Sequence, residues 1–264
     1  MNKADHQSLL AELTAALNAG RSAVTATVVD TAGSVPRRPG AKMLIHEDGS
    51  TSGTIGGGKV EALVVANALE TITTRETHLT TYTLQEPLRG DPGVCGGTMT
   101  IALEPYMPPP TVLVIGAGHV GRAVVDLAHW LGYRTVAVDD RADLVTSEAL
   151  PNADVLFAGD VAAAVETHPI TSDTSVVVVT RSFEMDALIV PLLLATPARY
   201  IGVMGSKRRW SSTRDALAGV DLTADDLLRI HAPIGIEIGA ESVEEIAVSI
   251  MSEVIASHGA SDRA

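Results

Sequence analysis

The sequence predicts an α/β protein in two parts: a smaller N-terminal α/β domain, then a doubly wound parallel sheet of Rossmann-like type. Three observations predict this. From Thr111 onward short apolar strands alternate with helical segments, the rhythm of βαβ units. The first of those strands runs into Gly116, Gly118 and Gly121 in G-x-G-x-x-G spacing, and the second ends at Asp139, 18 positions after Gly121. Three consecutive prolines, Pro108 to Pro110, can continue neither a helix nor a central strand and read as a stiff linker. The expected domains are therefore 1–106 and 107–264.

The elements follow from local pattern. Leu9, Leu10, Leu13, Ala16 and Leu17 recur at helical spacing, and Gly20 ends that helix. SAVTATVVD reads as a strand, Lys42–His46 as a second, and Asp48-Gly49 as the hairpin turn after it. TSG is a short strand, followed by the glycine run Gly56–Gly58 and a helix starting near Lys59. THLTTYTL and GGTMTIALEP are two more strands. Beyond the prolines, TVLVIGAG, YRTVAVDD, DVLFAGD, TSVVVVT and ARYIGVMG read as buried strands with helices between them. The last helix opens on a capping box, Ser242 and Glu245, and carries Val243, Ile246, Ala247, Ile250 and Val254 at helical spacing. HAPIGIEIGAES is too apolar for a solvated linker and is expected to fold back over the sheet edge, with Glu237 as a structural carboxylate.

Composition removes several function classes. The residues are 46% hydrophobic but only 3% aromatic, so stacking platforms for nucleic-acid bases are not expected. The formal charge of −13 repels phosphate backbones, although one local basic pocket can still overrule it for a small anion. The first 20 residues hold no apolar core of the length of a signal peptide or a membrane span. One cysteine, Cys95, cannot form an internal disulfide, and a reducing cytoplasm is the expected setting.

Candidate chemistry sits at glycine turns and strand ends. Gly116 permits a tight turn, Gly118 lets a phosphate approach the backbone, and Gly121 lets the following helix pack on the sheet. Asp139 stands where a ribose-binding acid belongs, with Arg141 beside it. A scaffold without a nucleotide is the alternative. His119 reads as a structural cap. Thr180-Arg181 and Gly205-Ser206-Lys207, the latter opening GSKRR, lie at further strand ends. The second of these is either an anion cradle or a solvated helix start. Gly56, Gly57 and Gly58 offer free amides at a helix start, or else a turn that permits close packing. Cys95 precedes Gly96 and Gly97, which leave a thiol and nearby amides accessible. It is either a functional thiolate or a small buried hydrophobe. The sequence has no Ser-His-Asp signature, no H-E-x-x-H, no Walker A and no clustered Cys/His pattern.

Taken together, these motifs resemble a known family. VVDTAGSVPRRPGAKMLI, GTIGGGKVEA and GVCGGTMTIALEP are similar to the N-terminal domain of the XdhC/CoxI family. The segment from VLVIGAGHVGRAVV to VAVDDR, then VVVVTRSFEMD, YIGVMGSKRR and IHAPIGIEIGAESVEEIAVSIMSEVI, are similar to its C-terminal Rossmann domain. The resemblance covers roughly residues 8–257. Lys59 occupies a position that varies in such proteins and is sometimes cysteine, and Val243 stands where proline is usual. The resemblance implies a cytoplasmic, non-catalytic maturation factor. It would bind molybdenum cofactor (molybdopterin, with or without a cytidine dinucleotide tail), protect it while a cysteine desulfurase supplies sulfur, and pass it to the apoenzyme of a molybdenum hydroxylase. It also implies that Cys95 meets the cofactor's metal or sulfur, a soft thiolate suiting molybdenum. The phosphate end is expected at Gly116–Gly121 or Gly205–Arg208, with the metal end toward the N-terminal domain. A homodimer is expected from the family and from the apolar terminal helix. Two other readings stay open: an NAD(P)-dependent oxidoreductase using the Rossmann turn, and a sensing module that carries no cofactor.

Overall fold

The computed structural model describes residues 3–84, 96–168 and 170–261. The chain divides into two compact units, 1–109 and 110–264.

The first unit is an antiparallel sheet with a helix on each face. Helix α1 (Lys3–Asn18) precedes strands β1 (Ala23–Ala32), β2 (Lys42–His46) and β3 (Thr51–Gly53). Helix α2 (Gly58–Thr74) and strands β4 (His78–Thr83) and β5 (Thr98–Tyr106) follow. The strand order is β3-β2-β1-β5-β4. Side-chain alternation sorts the faces. Val24, Ala26, Met43, Ile45, Ile101 and Leu103 pack with Val64 and Ala68 of α2. The intervening Ala23 and Leu44 pack on the other face with Leu13 of α1.

The second unit is a six-stranded parallel sheet in the order β11-β10-β9-β6-β7-β8. In chain order it runs β6 (Thr111–Ile115), α3 (His119–Trp130), β7 (Arg134–Asp139), a 3-10 turn at Ala142–Leu144 and β8 (Val155–Ala158). Then come α4 (Val161–Thr167), β9 (Thr174–Val178), α5 (Phe183–Leu194), β10 (Tyr200–Val203) and α6 (Lys207–Ala216). Last are α7 (Ala224–Leu228), β11 (Ile230–His231) and α8 (Val243–Ser261). The sheet is covered on both faces, which is why its strands look continuously apolar. Leu113, Ile115, Val136 and Val138 face α4 and α5. Val112, Val114 and Ala137 face α3 and α8. Strand order reverses at β6, so the crevice at its carboxyl end is the place for a ligand.

The terminal segment follows its expected course only in part: the Ile234 amide donates to the Val203 carbonyl at the sheet edge, but Ile236, Glu237 and Ile238 are exposed. The residues after β11 dock on α8 through Ser249, whose hydroxyl donates to the Ile236 carbonyl at 2.6 Å. Glu245 and Ser242 form the expected capping box. Glu253 of α8 accepts from Tyr200 at 2.7 Å, from the Gly235 amide, and pairs with His231 at 2.9 Å. Ala247, Ile250 and Val254 are buried within this unit. That part of the stripe is spent inside the chain and gives no independent sign of a dimer.

Candidate functional site

The crevice opens where β6, β7, β8 and β9 end. Its volume is about 500 Å³, within the range of small-molecule sites. One wall is apolar, with Val161 of α4 and Met185, Leu188 and Leu192 of α5. The rim carries Asp139, Asp140, Arg141, Thr180 and Arg181.

Gly116 turns the chain out of β6 at φ +110, and a Cβ there would lie 2.6 Å from the Val179 carbonyl oxygen. Gly121 is held tighter still: its Cβ would fall 1.8 Å from the Gly116 oxygen. Gly118 is different. It caps α3 with extended backbone, and nothing lies within 4 Å of a Cβ built on it. A ligand can therefore approach this backbone closely, and the first amides of α3 have no intrahelical partner. The cap is Gly118, which corrects the reading of His119. His119 is the first helical residue, exposed, beside Arg122 and Val243 in a groove between α3 and α8.

Asp139 is the least expected feature. Its carboxylate is not offered to a ribose. It accepts from the Ala117 amide at 2.7 Å, the Arg141 amide at 2.9 Å, and Nε and Nη2 of Arg141 at 2.9 and 2.8 Å. Burial alone would raise its pKa, but the Arg141 guanidinium and the two amides outweigh that and hold the carboxyl far below its usual range. Beside it, Arg181 grips Asp140 with both Nη atoms, at 2.9 and 2.7 Å. Because β7 and β9 flank β6, this pair spans the carboxyl end of β6. Thr180 lines the crevice, but its hydroxyl donates to the buried Asp186 carboxylate.

Asp186 also explains GSKRR. Arg209 turns inward, with Nε 2.9 Å from Asp186 and Nη2 2.8 Å from the Thr180 hydroxyl. Burial raises the Asp186 pKa, while Thr180 and Arg209 pull it back. Gly205 is glycine because a Cβ would strike the Arg209 stem at 2.7 Å, and Ser206 caps α6 by accepting from the Arg209 amide. The cluster of three free cations expected here is corrected to two, Lys207 and Arg208, both exposed and neither lining the crevice.

The first unit brings two of its glycine motifs onto one loop. A Cβ on Gly97 would lie 2.5 Å from the Ala32 and Ser34 oxygens and 2.9 Å from Val35, and one on Gly56 would lie 2.4 Å from Pro36. Residues 32–36 thus run between the two motifs. Gly96 beside them is exposed. Cys95 lies outside the described residues. The free amides expected at Gly56 and Gly57 are corrected: one oxygen of Glu61 accepts from Ile55, Gly56 and Gly57 at 3.0, 3.2 and 2.8 Å, and from Thr54 at 2.6 Å. Burial opposes ionisation of Glu61, but the Thr54 hydroxyl and these amides hold its pKa below the usual value.

Residues 112–254 match the XdhC Rossmann domain, and residues 16–83 match the XdhC and CoxI family. This chain belongs to the XdhC/CoxI family. Among relatives, the uncharacterized protein YqeB of Escherichia coli K12 is 33% identical over 234 residues, which are 87% of this chain and 42% of YqeB. A probable xanthine dehydrogenase component of Bacillus subtilis 168 is 29% identical over 158 residues, 60% of this chain and 46% of that protein. The chain thus spans less than half the length of either. The molybdenum cofactor insertion chaperone PaoD of E. coli K12 is 24% identical over 281 aligned positions, 95% of this chain and 88% of PaoD. A crystal structure described as a xanthine dehydrogenase from Bacillus halodurans shares the fold, with a TM-score of 0.51 at 24% identity, over 97% of this chain and 96% of that one.

Asp186 is the side chain that sequence reasoning missed; Arg209 counted only as one cation of GSKRR, and Glu61 was not assigned to the glycine amides. Glu61 was legible in principle, being a carboxylate in the first turn of the helix that follows the glycines. Among the described residues no group of three or more His, Cys, Asp or Glu is placed to hold a metal ion. No helix among them is long and apolar enough to cross a membrane.

Proposed function

We propose that this chain is a maturation factor for molybdenum hydroxylases. It binds molybdenum cofactor, shelters it during sulfuration by a cysteine desulfurase, and delivers it to an apoenzyme of the xanthine or CO dehydrogenase type. The observation that carries this reading is the similarity to PaoD, which runs along nearly the whole of both chains. The cofactor is cargo here, so the chain needs groups that hold it and release it, not groups that turn it over.

The second unit is suited to the phosphate-bearing end. Open backbone at the Gly118 cap of α3, which brings no side chain of its own, and the guanidinium of Arg181 fit a phosphate, while the wall at Met185 and Leu188 fits a flat ring. Gly116 and Thr180 line this crevice, and Gly121 packs against the Gly116 carbonyl. In the first unit, Cys95 is the group proposed to meet the metal or its sulfur, with Gly96 and Gly97 keeping the approach narrow. The expected setting is cytoplasmic and the expected assembly a homodimer.

The second reading, an NAD(P)-dependent oxidoreductase, draws on the glycine spacing and Asp139. The four donors already on the Asp139 carboxylate weaken it, because the group that would accept the ribose hydroxyls is spent.

The test is anaerobic mixing of the purified chain with molybdenum cofactor, desalting, and assay of retained molybdenum and pterin, with NAD in parallel. Near-stoichiometric retention that falls in Cys95→Ser supports the carrier and its thiol. No retention together with clear NAD binding overturns it.

A further inference from the structure

The two ion pairs on the crevice rim are unequal. Asp139 is 3% exposed and takes four donors. Asp140 is 45% exposed, Arg181 is 51% exposed, and two bonds join them. An exposed pair contributes little to stability, while a buried acid stripped of its donors is costly. If an anion enters the crevice, the pair that opens is Asp140–Arg181.

Its position matters as much as its weakness. It joins the loops after β7 and β9 across the end of β6, where the glycine turn leads into α3. The same lining joins the apolar wall at Met185 and Leu188 to Gly116, where the glycine turn begins, and Asp140 and Arg181 belong to it. Leu188, on that wall, is 75% exposed, a large apolar surface left facing a crevice rimmed by arginines. Charge also fits an exchange better than simple addition. The lining holds Asp139, Asp140 and Asp160 against Arg141 and Arg181. Asp139 is neutralised by Arg141, and Asp160 is turned to the Ala163 amide at 2.9 Å as the cap of α4. Arg141 already gives Nε and Nη2 to Asp139, so a phosphate gains a whole guanidinium fork by taking Arg181 from Asp140.

We propose that Arg181 is a specificity arm for a nucleotide: it leaves Asp140 to bind the phosphate of a nucleoside phosphate whose base lies against Met185 and Leu188, while Arg141 stays on Asp139. The chemical class is a phosphorylated nucleoside, either free, as the tail of a larger cofactor, or as a phosphorylated nicotinamide dinucleotide. The inference rests on the reading of this crevice as the cofactor's phosphate-bearing end.

The experiment is calorimetric titration of the purified full chain with cytidine, CMP, adenosine, AMP and NADP. Wild type is compared with Arg181→Gln and Asp140→Asn, whose side chains are about half exposed and whose folding is checked by urea unfolding. CMP or AMP is expected to bind about ten-fold tighter than its nucleoside, the gain of a charge-assisted phosphate contact. Arg181→Gln should abolish that gap and leave nucleoside binding unchanged. Asp140→Asn should tighten phosphate binding by about three-fold or more, because removing the competing acceptor raises the competent fraction. Preference for CMP points to a cytidine tail, for AMP to a free adenine nucleotide, and for NADP to a dinucleotide; each supports the arm. Equal affinities for nucleoside and nucleotide, or an Asp140→Asn variant that weakens phosphate binding as Arg181→Gln does, overturn it.

Molybdenum cofactor retention measured on the same proteins separates the two readings. Retention with no nucleotide binding removes the arm and leaves the carrier. Nucleotide binding governed by Arg181 and Asp140, with no cofactor retained, leaves the arm and removes the carrier.

Discussion

Two glycine turns lead from strand to helix in this chain, and they are built to opposite ends. At Gly56–Gly58 the turn binds itself, since Glu61 in the first turn of α2 gathers the amides of residues 55, 56 and 57 onto one carboxylate oxygen. At Gly116–Gly121 the first turn of α3 contains no acid, and its cap, Gly118, has no side chain to bond with. A helix start attracts negative charge in both cases. The first turn supplies that charge from its own helix; at the second, Asp139 from the next strand takes the Ala117 amide, and the cap of α3 makes no side-chain bond. A glycine run before a helix is therefore not evidence of an anion site until the first helical turn has been searched for an acid.

Substitutions at four positions sharpen or break this contrast. The largest effect is expected at Gly121→Ala, whose methyl would fall on the Gly116 oxygen. A loss of roughly 3 kcal/mol is expected from overpacking against backbone, read from the urea midpoint. A wild-type midpoint would mean that the turn is looser than described. Next is Glu61→Ala, which strands partly buried amides and should cost about 1–3 kcal/mol. This carboxyl has a folded pKa below its unfolded value. Its stabilisation is thus fully present above the unfolded value and is lost as pH falls through the folded one. Glu61→Gln should flatten the unfolding profile in that acidic window, and an unchanged profile would count against the self-bound turn. Third is Gly57→Ala, where φ is +81 and nothing obstructs a Cβ. Only backbone strain is at stake there, in an extended positive-φ conformation, about 1–3 kcal/mol. Smallest is Gly118→Ala. Its φ is −71 and the space is open, so stability should move by less than about 0.5 kcal/mol. Its effect should appear instead as weakened nucleotide or cofactor binding. If Gly118→Ala binds as wild type does, the open backbone is not where the ligand lies.

Much of this was legible because it is local. Strand alternation, the capping box at Ser242 and the glycine spacing at 116–121 are short-range patterns, and each element formed near where its pattern lies. The charged partners were not legible, because they are brought together by the fold. Arg209 meets Asp186 from 23 positions away, and Arg181 meets Asp140 from 41. In sequence, GSKRR shows three adjacent cations, with nothing to mark one of them as turned inward. Asp139 was placed correctly at the end of its strand, but its role depends on Arg141, whose neighbouring position does not reveal whether its side chain folds back. Cys95, the residue the family resemblance weighted most, lies outside the described residues.

The packing of α3 against α8 bears on how the chain is made. Val124, Val125 and Ala128 share a core with Ala247, Ile250, Met251 and Val254. One face of the parallel sheet is therefore covered only in part, by α3, until α8 has left the ribosome. At ordinary rates of synthesis, that leaves an apolar face open for about 6–25 s. During that interval the nascent chain is a natural client for holding factors, and a stop codon placed before Val243 should yield an aggregating product rather than a shorter working one.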